Sequence, residues 1–143
     1  MATKIFLKKD SNQSVATLPN WTGVADIFGA AGGNEVVNIH VGNSDLSSFS
    51  ASAMTLDQNI EGVYLSQAIG NYQFAANGNE VSIKLGNTVI AKVTVQDDTD
   101  GTAITYAGQT TPLALTIAPS SSGFAVKLGD QVLTSTPDRK SVV

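Results

Sequence analysis

Two alternating apolar segments flank a glycine-asparagine turn in the middle of the chain, and this pattern constrains the fold more than any other. Apolar and polar side chains alternate from Val81 to Leu85, and apolar residues recur at every second position in the next segment, at Val89, Ala91, Val93 and Val95. Gly86-Asn87, between the two segments, is typical of a two-residue hairpin turn. The pattern predicts an antiparallel hairpin, and the acidic turn that follows it indicates a β-domain.

Short apolar segments bounded by turn residues recur along the rest of the chain, about every 8–12 residues, which is typical of a sandwich or barrel. No segment longer than about ten residues keeps a helical period. We therefore predict an all-β fold, an antiparallel β-sandwich of the jelly-roll or immunoglobulin-like type, with few or no helices. The predicted strands are 4–9, 15–18, 35–41, 60–65, 72–76, 81–85, 89–95, 103–106, 113–117, 124–128 and 132–134, with a strand and turn in 21–31 and no assignment for 46–56.

The length of the chain fits one domain, residues 1–143, with 136–143 expected to be a flexible C-terminal tail. Residues 81–90 and 124–133 share one pattern, apolar-x-apolar-Lys-Leu-Gly-Asn/Asp-x-Val-apolar. The shared pattern predicts two hairpins with the same turn. We interpret it as a duplicated hairpin rather than as a tandem repeat or a solenoid.

Charge and cysteine content exclude several classes of function. The net charge is -4 and the basic residues are scattered, whereas nucleic-acid binding needs a clustered basic face. The absence of cysteine excludes disulfides, thiol nucleophiles and thiolate metal sites. No apolar run approaches the roughly 18–20 residues that span a bilayer, so membrane insertion is not expected. The first 15 residues lack a signal-peptide core, so we expect a cytosolic protein or export without a cleaved N-terminal signal.

Residues 59–116 carry a family resemblance. Its pieces are NIEGVYL (59–65), NYQF (71–74), GNEV (78–81), AKVTV (91–95), QDD (96–98) and DGT (100–102). Together they resemble modules of large secreted bacterial proteins of the hemolysin-type, calcium-binding kind. The resemblance implies a structural or adhesive part of an exoprotein, surface layer or matrix. The glycine- and aspartate-rich nonapeptide repeats of such proteins are absent, so it does not imply a calcium roll.

Three carboxylates precede a glycine at the end of the central hairpin and form the strongest metal candidate. Asp97, Asp98 and Asp100, followed by Gly101, supply oxygen ligands on a tight turn, which suits Ca²⁺. The alternative is an ordinary acidic turn in which aspartate caps its own backbone. Two weaker calcium candidates are Asp10 with Asn12 and Asn43 with Asp45.

The residues that enzymes and lectins use are sparse in this chain. His40 is the only histidine and is predicted to face solvent from a strand; no nucleophile motif accompanies it, so we do not expect an enzyme. Trp21, Tyr64, Tyr72 and Tyr106 would suit a sugar-stacking platform, but core packing explains aromatic residues in strands better. A glycan-binding adhesive module, with cell-surface polysaccharide as partner, is the alternative function, and a small hydrolase ranks last.

The function favoured by the sequence is that of a secreted structural protein, a subunit of an extracellular matrix fibre or surface layer. We expect it to associate with itself through strand edges, with Thr3 to Lys9 as the donor strand. The alternative is that this strand pairs within its own sheet. The tail 137–143 resembles the uncleaved C-terminal signals of type I-secreted proteins, and a frayed terminus is the other interpretation.

Overall fold

A computed structural model describes residues 3–10, 12–16, 25–30, 32, 34–40, 54–95, 101–108, 113–120, 123–129, 131–133 and 138–139. The described strands are β1 Thr3–Phe6, β2 Asn12–Ala16, β3 Ala25–Phe28, β4 Glu35–His40, β5 Met54–Leu56, β6 Ile60–Leu65, β7 Tyr72–Asn77, β8 Glu80–Leu85, β9 Thr88–Thr94, β10 Thr102–Tyr106, β11 Leu113–Ser120, β12 Gly123–Leu128, β13 Gln131–Val132 and β14 Asp138–Arg139. A 3-10 turn, Ile69–Asn71, precedes β7. In this part of the chain, no helix has the length and apolar character needed to cross a membrane.

The strands form two sheets that enclose one hydrophobic core. Sheet 1 has the order β1-β3-β5-β9-β8-β7-β14, and sheet 2 has the order β13-β12-β11-β10-β6-β4-β2. The predicted all-β sandwich is therefore confirmed. The pairing differs from the antiparallel expectation, because half of the pairings between described strands are parallel.

Successive strands alternate between the two sheets, and this alternation produces the parallel pairs. β1, β3 and β5 lie side by side in sheet 1, and β2, β4 and β6 do so in sheet 2. β9 then pairs in parallel with β5, and β10 with β6. We call the pairs β1–β2, β3–β4, β5–β6 and β9–β10 the four coils. Immunoglobulin-like and jelly-roll sandwiches, expected from the sequence, are antiparallel and have no such coils.

The two ends of this stack of coils differ. Beyond the fourth coil, β8, β7 and β14 extend sheet 1, while β11, β12 and β13 extend sheet 2. The outermost strands there, β13 and β14, have two residues each. We call this the capped end and call the other end, formed by β1 and β2, the open end. β14 lies in the predicted tail 136–143 and pairs with Gln73 and Phe74 of β7.

Alternation along the strands sends about every second side chain into the space between the sheets. Burying a large aliphatic or aromatic side chain contributes about 1.5–3 kcal/mol, so this layer supplies most of the drive to fold. The largest fully buried side chains are Tyr72, Phe74, Ile27, Ile39, Met54, Leu56, Ile60, Leu65, Ile69, Ile83, Leu85 and Ile90.

Both predicted hairpins are present. β8 and β9 pair in antiparallel fashion around Gly86, whose φ is 63°. β12 and β13 do the same around Gly129, whose φ is 60°. A left-handed φ favours glycine, which explains why both copies of the shared pattern keep one at this position. Met54–Leu56, within the segment that the sequence left unassigned, forms β5 of sheet 1.

Candidate functional site

Sheet 1 passes to sheet 2 through one connection in each coil. The described residues of these connections lie along the same edge of the sandwich, because strands of successive coils pair in parallel. They are residues 7–11, 29–34, 57–59 and 95–101, each described at least in part. We call them the acidic turns, since a carboxylate lies in or beside each one. The predicted calcium ligands belong to the fourth, so this edge is the candidate site.

Glu35 joins the first acidic turn to the second. Its side chain is fully buried, and its carboxylate accepts hydrogen bonds from two backbone N–H groups. Oε2 accepts from Asp10 at 3.0 Å, and Oε1 accepts from Ala30. Gly29 leaves the necessary room, because a Cβ there would lie 2.8 Å from Oε1 of Glu35. Two charge-assisted bonds of this kind offset the cost of burying the carboxylate.

Asp10 also accepts a hydrogen bond from the second acidic turn. Its backbone is left-handed, with a φ of 64°, a conformation that aspartate tolerates better than most residues. Its Oδ1 accepts the N–H of Asn34 at 2.8 Å. Asp10 was a weaker calcium candidate from the sequence, and the structure shows its carboxylate bound to a backbone donor.

Asp57 joins the third acidic turn to the second. Its Oδ1 accepts N–H groups of Gly29 at 2.9 Å and of Asn59 at 3.2 Å. Its Oδ2 lies 3.3 Å from Nδ2 of Asn59. Asp10, Glu35 and Asp57 thus each bind an N–H of the neighbouring acidic turn. We call these three carboxylates the braces, because they fix one coil to the next.

The predicted calcium ligands Asp97, Asp98 and Asp100 lie outside the described residues, as do Asn43 and Asp45. The flanking residues of the fourth turn are described: Val95 and Gly101 are both buried. Among the described residues, no group of three or more histidine or acidic side chains is placed to hold a metal ion. Calcium at the fourth acidic turn therefore stays a prediction.

Gly101 and Thr102 close the fourth turn against β11. Gly101 has a φ of 63°, and a Cβ there would lie 1.8 Å from the carbonyl oxygen of Leu115, so only glycine fits. Thr102 is fully buried, and its Oγ1 has no hydrogen-bond partner among the described residues. The sequence analysis missed Thr102. The sequence feature that could have identified it is a polar residue two positions before Ile104, a spacing that places both side chains on the inward face of β10.

The aromatic residues do not share one surface. Tyr72 lies in the core, where its hydroxyl accepts the N–H of Gln67 at 3.1 Å. Tyr106 packs partly against the core, whereas Tyr64 is half-buried and pairs in register with Thr105. Trp21 lies outside the described residues. Core packing is thus confirmed for Tyr72.

His40 is the last residue of β4, and its side chain lies outside the described part of the chain. The alternation predicted for this strand is confirmed at the positions before it. Val37 and Ile39 are buried, while Asn38 between them is half-exposed.

The open end presents an aromatic pair beside a strand edge. Phe6 of β1 is 75% exposed and stacks on Phe28 of β3, with ring centroids 5.0 Å apart. Leu7 is buried, so Phe6 and Leu7 face opposite ways. β1 pairs in parallel with β3 of its own sheet, which was the alternative to strand donation.

Backbone direction shows which groups of β1 face outward. The N–H of Leu7 donates to the carbonyl oxygen of Phe28. Backbone groups of successive residues in a strand point to opposite sides, so those of Ile5 also face β3. The N–H and C=O groups of Lys4 and Phe6 therefore face away from the sheet. No described strand pairs with this outer edge.

Comparison of the chain with models of protein families, with curated proteins and with solved structures found no match. The resemblance to hemolysin-type modules stays a prediction for that reason.

Proposed function

We propose that the chain is a secreted structural protein, a subunit of an extracellular matrix fibre or surface layer, that associates with copies of itself through strand edges. The observation that supports the proposal is the open end. There the outer edges of β1 and β2 lie at the margins of both sheets, unpaired with any described strand.

Unpaired strand edges are templates for pairing with another chain, because each added strand satisfies rows of N–H and C=O groups. Proteins that stay monomeric usually block such edges with proline, charge or very short strands. β2 has no charged residue and no proline, and β1 has one lysine, Lys4. The residues of β1 and β2 themselves therefore carry little of this protection.

The braces agree with a structural role. Asp10, Glu35 and Asp57 bind backbone N–H groups, so these carboxylates hold the coils together. Calcium at Asp97, Asp98 and Asp100 would stabilise the fourth acidic turn in a similar way, and we propose that it binds there.

Self-association is tested by a proline at Lys4. Lys4→Pro removes one outward N–H of β1 and leaves the bonds to β3, a position where edge strands tolerate proline. Lys4→Thr is the matched control, since it removes the same charge and keeps the N–H.

We expect the unchanged chain and Lys4→Thr to assemble in electron micrographs and in sedimentation velocity, and Lys4→Pro to sediment as a smaller, folded species. Folding is checked by the urea midpoint. Equal assembly of all three folded proteins, or no assembly of the unchanged chain at any concentration, would contradict the proposal.

Export is tested separately by removing residues 140–143, which leaves β14 in place. If the C-terminal tail is the export signal, the shortened chain stays inside cells that carry a type I secretion system. Undiminished export would exclude these residues as the signal.

A further inference from the structure

We infer that copies of the chain join head to tail, with β1 of one copy added in parallel to β7 of the next, so that sheet 1 continues from subunit to subunit. The inference rests on the proposed self-association and adds the two surfaces that meet. An interface between two different surfaces leaves one of each free at the ends of the assembly and can extend into a filament, whereas two identical surfaces form a closed pair. A fibre therefore requires two different surfaces.

The outer edge of β7 is only partly covered in the described part of the chain. β14 pairs with Gln73 and Phe74, and no described strand pairs with the outer edge of residues 75–77. These three residues end β7 just before the turn at Gly78. We call residues 75–77 the step, because β14 stops short of them.

β1 and β7 run in the same direction. β1, β3, β5 and β9 are parallel neighbours, and two antiparallel pairings, β9 with β8 and β8 with β7, restore that direction. The β1 strand of a second copy in the same orientation therefore meets β7 as a parallel strand. Parallel pairing also joins the coils of sheet 1 inside each molecule.

The register of sheet 1 places β1 level with the step. Residues in register across neighbouring strands form a row, and the row that begins at Ile5 ends at Ala76; its other members are Ile27, Leu56, Val93 and Val81. Lys4 and Phe6 consequently share rows with the other two residues of the step. A second copy displaced along the sheet, without a shift along the strands, brings its β1 against the step.

Backbone direction shows which groups of the step face outward. The N–H of Val95 donates to the carbonyl oxygen of Asn79, so the backbone groups of Asn79 face β9 and those of Glu80 face β7. Glu80 pairs with Asn77, so Asn77 faces β8, and the N–H and C=O groups of Ala76 face away from the sheet. Ala76 thus offers one donor and one acceptor that no described strand uses.

The outward groups of β1 match those of Ala76. In parallel strands, a residue bonds to the two neighbours of its row partner. Because Ala76 lies in the row of Ile5, its N–H donates to the carbonyl oxygen of Lys4 in the next copy, and its C=O accepts the N–H of Phe6. Lys4 and Phe6 are the residues of β1 whose backbone groups face outward. A shift of one residue along the strands would lose this match.

The arrangement also covers an exposed aromatic ring. Phe6 is 75% exposed in the single chain and stacks on Phe28 within its own sheet. At the interface, Asn77 of the next copy lies beside Phe6 on the opposite side from Phe28. Thr3 shares a row with Phe74, which β14 covers, so Thr3, the first residue of β1, leaves its strand there. The paired segment is residues 4–6.

β13 of sheet 2 does not block this approach. β2 begins at Asn12, whose row ends at Ala114 of β11. β13 covers residues 127–128 of β12, which pair with residues 115–116, and β2 runs from the row of Ala114 in the opposite direction. The incoming β2 and β13 therefore occupy different rows.

Paired cysteines test the register, because the chain has no cysteine of its own. Lys4→Cys and Ala75→Cys in one chain place thiols in the same row, about 4.8 Å apart at Cα across the interface, which suits a disulfide. Within one molecule the two positions are five strand spacings apart, about 24 Å, and cannot bond. Lys4→Cys with Gln73→Cys is the matched control, on the same face of β7 but beside β14.

We expect mild oxidation to convert the Lys4→Cys/Ala75→Cys chain into a ladder of disulfide-linked polymers on a denaturing gel, and the control to give little ladder. Electron micrographs of the unchanged chain should show a repeat of about 28–29 Å along the fibre. This repeat is six strand spacings, because β14 of one copy and β1 of the next share one strand position. A different repeat would overturn the inference even if a cysteine variant does not fold.

Three other results would overturn this inference and leave the proposed self-association intact. They are disulfide dimers from Lys4→Cys alone with no longer products from the pair with Ala75→Cys, fibres in which neither pair gives a ladder, and equal ladders from both pairs. Variants and unchanged chain that are folded by their urea midpoints but stay monomeric by sedimentation at every concentration would overturn both.

Discussion

At the residue scale, Thr102 departs from the usual rule that buried polar groups are hydrogen-bonded. Its hydroxyl lies in the core of the sandwich, and no described residue forms a hydrogen bond with it. We expect Thr102→Val to raise the free energy of unfolding by about 1 kcal/mol, because valine keeps the shape and removes the unsatisfied group. Urea denaturation measures the change.

Thr105→Val is the matched control, on the half-exposed face of the same strand, and we expect it to change stability by less than about 0.5 kcal/mol. A marked loss of stability in Thr102→Val would contradict the prediction. It would show that the hydroxyl has a partner in solution.

Tyr72 gives a second prediction at this scale. Burial raises the pKa of its hydroxyl above the ordinary value of 10.0, while hydrogen bonds with Gln67 and Ser66 act in the opposite direction. Below pH 10 Tyr72 keeps its proton in both the folded and the unfolded chain, and its contribution to the free energy of unfolding is fully present. As the pH rises above that value, the unfolded chain loses its proton first, so stability falls until the folded pKa is passed.

Tyr72→Phe separates this effect from other alkaline titrations. Near neutral pH the variant should be about 1 kcal/mol less stable, because the N–H of Gln67 loses its acceptor. The difference in the free energy of unfolding between the two proteins should narrow above pH 10, since phenylalanine does not titrate. Urea denaturation of both proteins across this range measures it. A gap that stays constant, or that narrows equally in Tyr64→Phe, would contradict the assignment.

At the scale of elements, the braces decide how one coil is fixed to the next. Glu35→Gln replaces one acceptor oxygen with an NH₂ group that faces a backbone donor, Asp10 or Ala30. We expect a loss of roughly 1.5–3 kcal/mol, the contribution typical of hydrogen bonds to charged groups. Amide hydrogen exchange at Asp10 and Ala30 should speed up in the variant.

Glu80→Gln on β8 serves as its control, because Glu80 is half-exposed. Its substitution should change the free energy of unfolding by less than about 0.5 kcal/mol. Equal effects of the two substitutions would show that Glu35 does not brace the coils.

At the scale of the whole molecule, we predict that calcium stabilises the fold by binding at the fourth acidic turn. If Ca²⁺ binds the native chain at Asp97, Asp98 and Asp100, a hundredfold excess over Kd adds about 2.7 kcal/mol of stability. Melting curves in calcium and in chelator measure this. The triple variant with asparagine at these positions should melt alike in both solutions. Identical melting of the unchanged chain in calcium and chelator would exclude the site.

The sequence by itself determined the local elements of this protein. Alternation and a glycine with positive φ specify the hairpins at Gly86 and Gly129, and β6 has its predicted bounds, Ile60–Leu65. These features depend on neighbours within a few residues, so they are visible in any short segment. The acidic character of the fourth turn is visible for the same reason.

Only the tertiary structure decided the parallel coils and the braces. β3 pairs with β5, with Ile27 beside Leu56, although the coils share no repeated sequence pattern. Glu35 and Asp57 accept N–H groups that lie 25 and 28 residues away in the chain. Parallel pairing leaves no tight turn between the paired strands, so no local pattern marks it. The side chains that brace the coils acquire that role only when stacking brings the turns together.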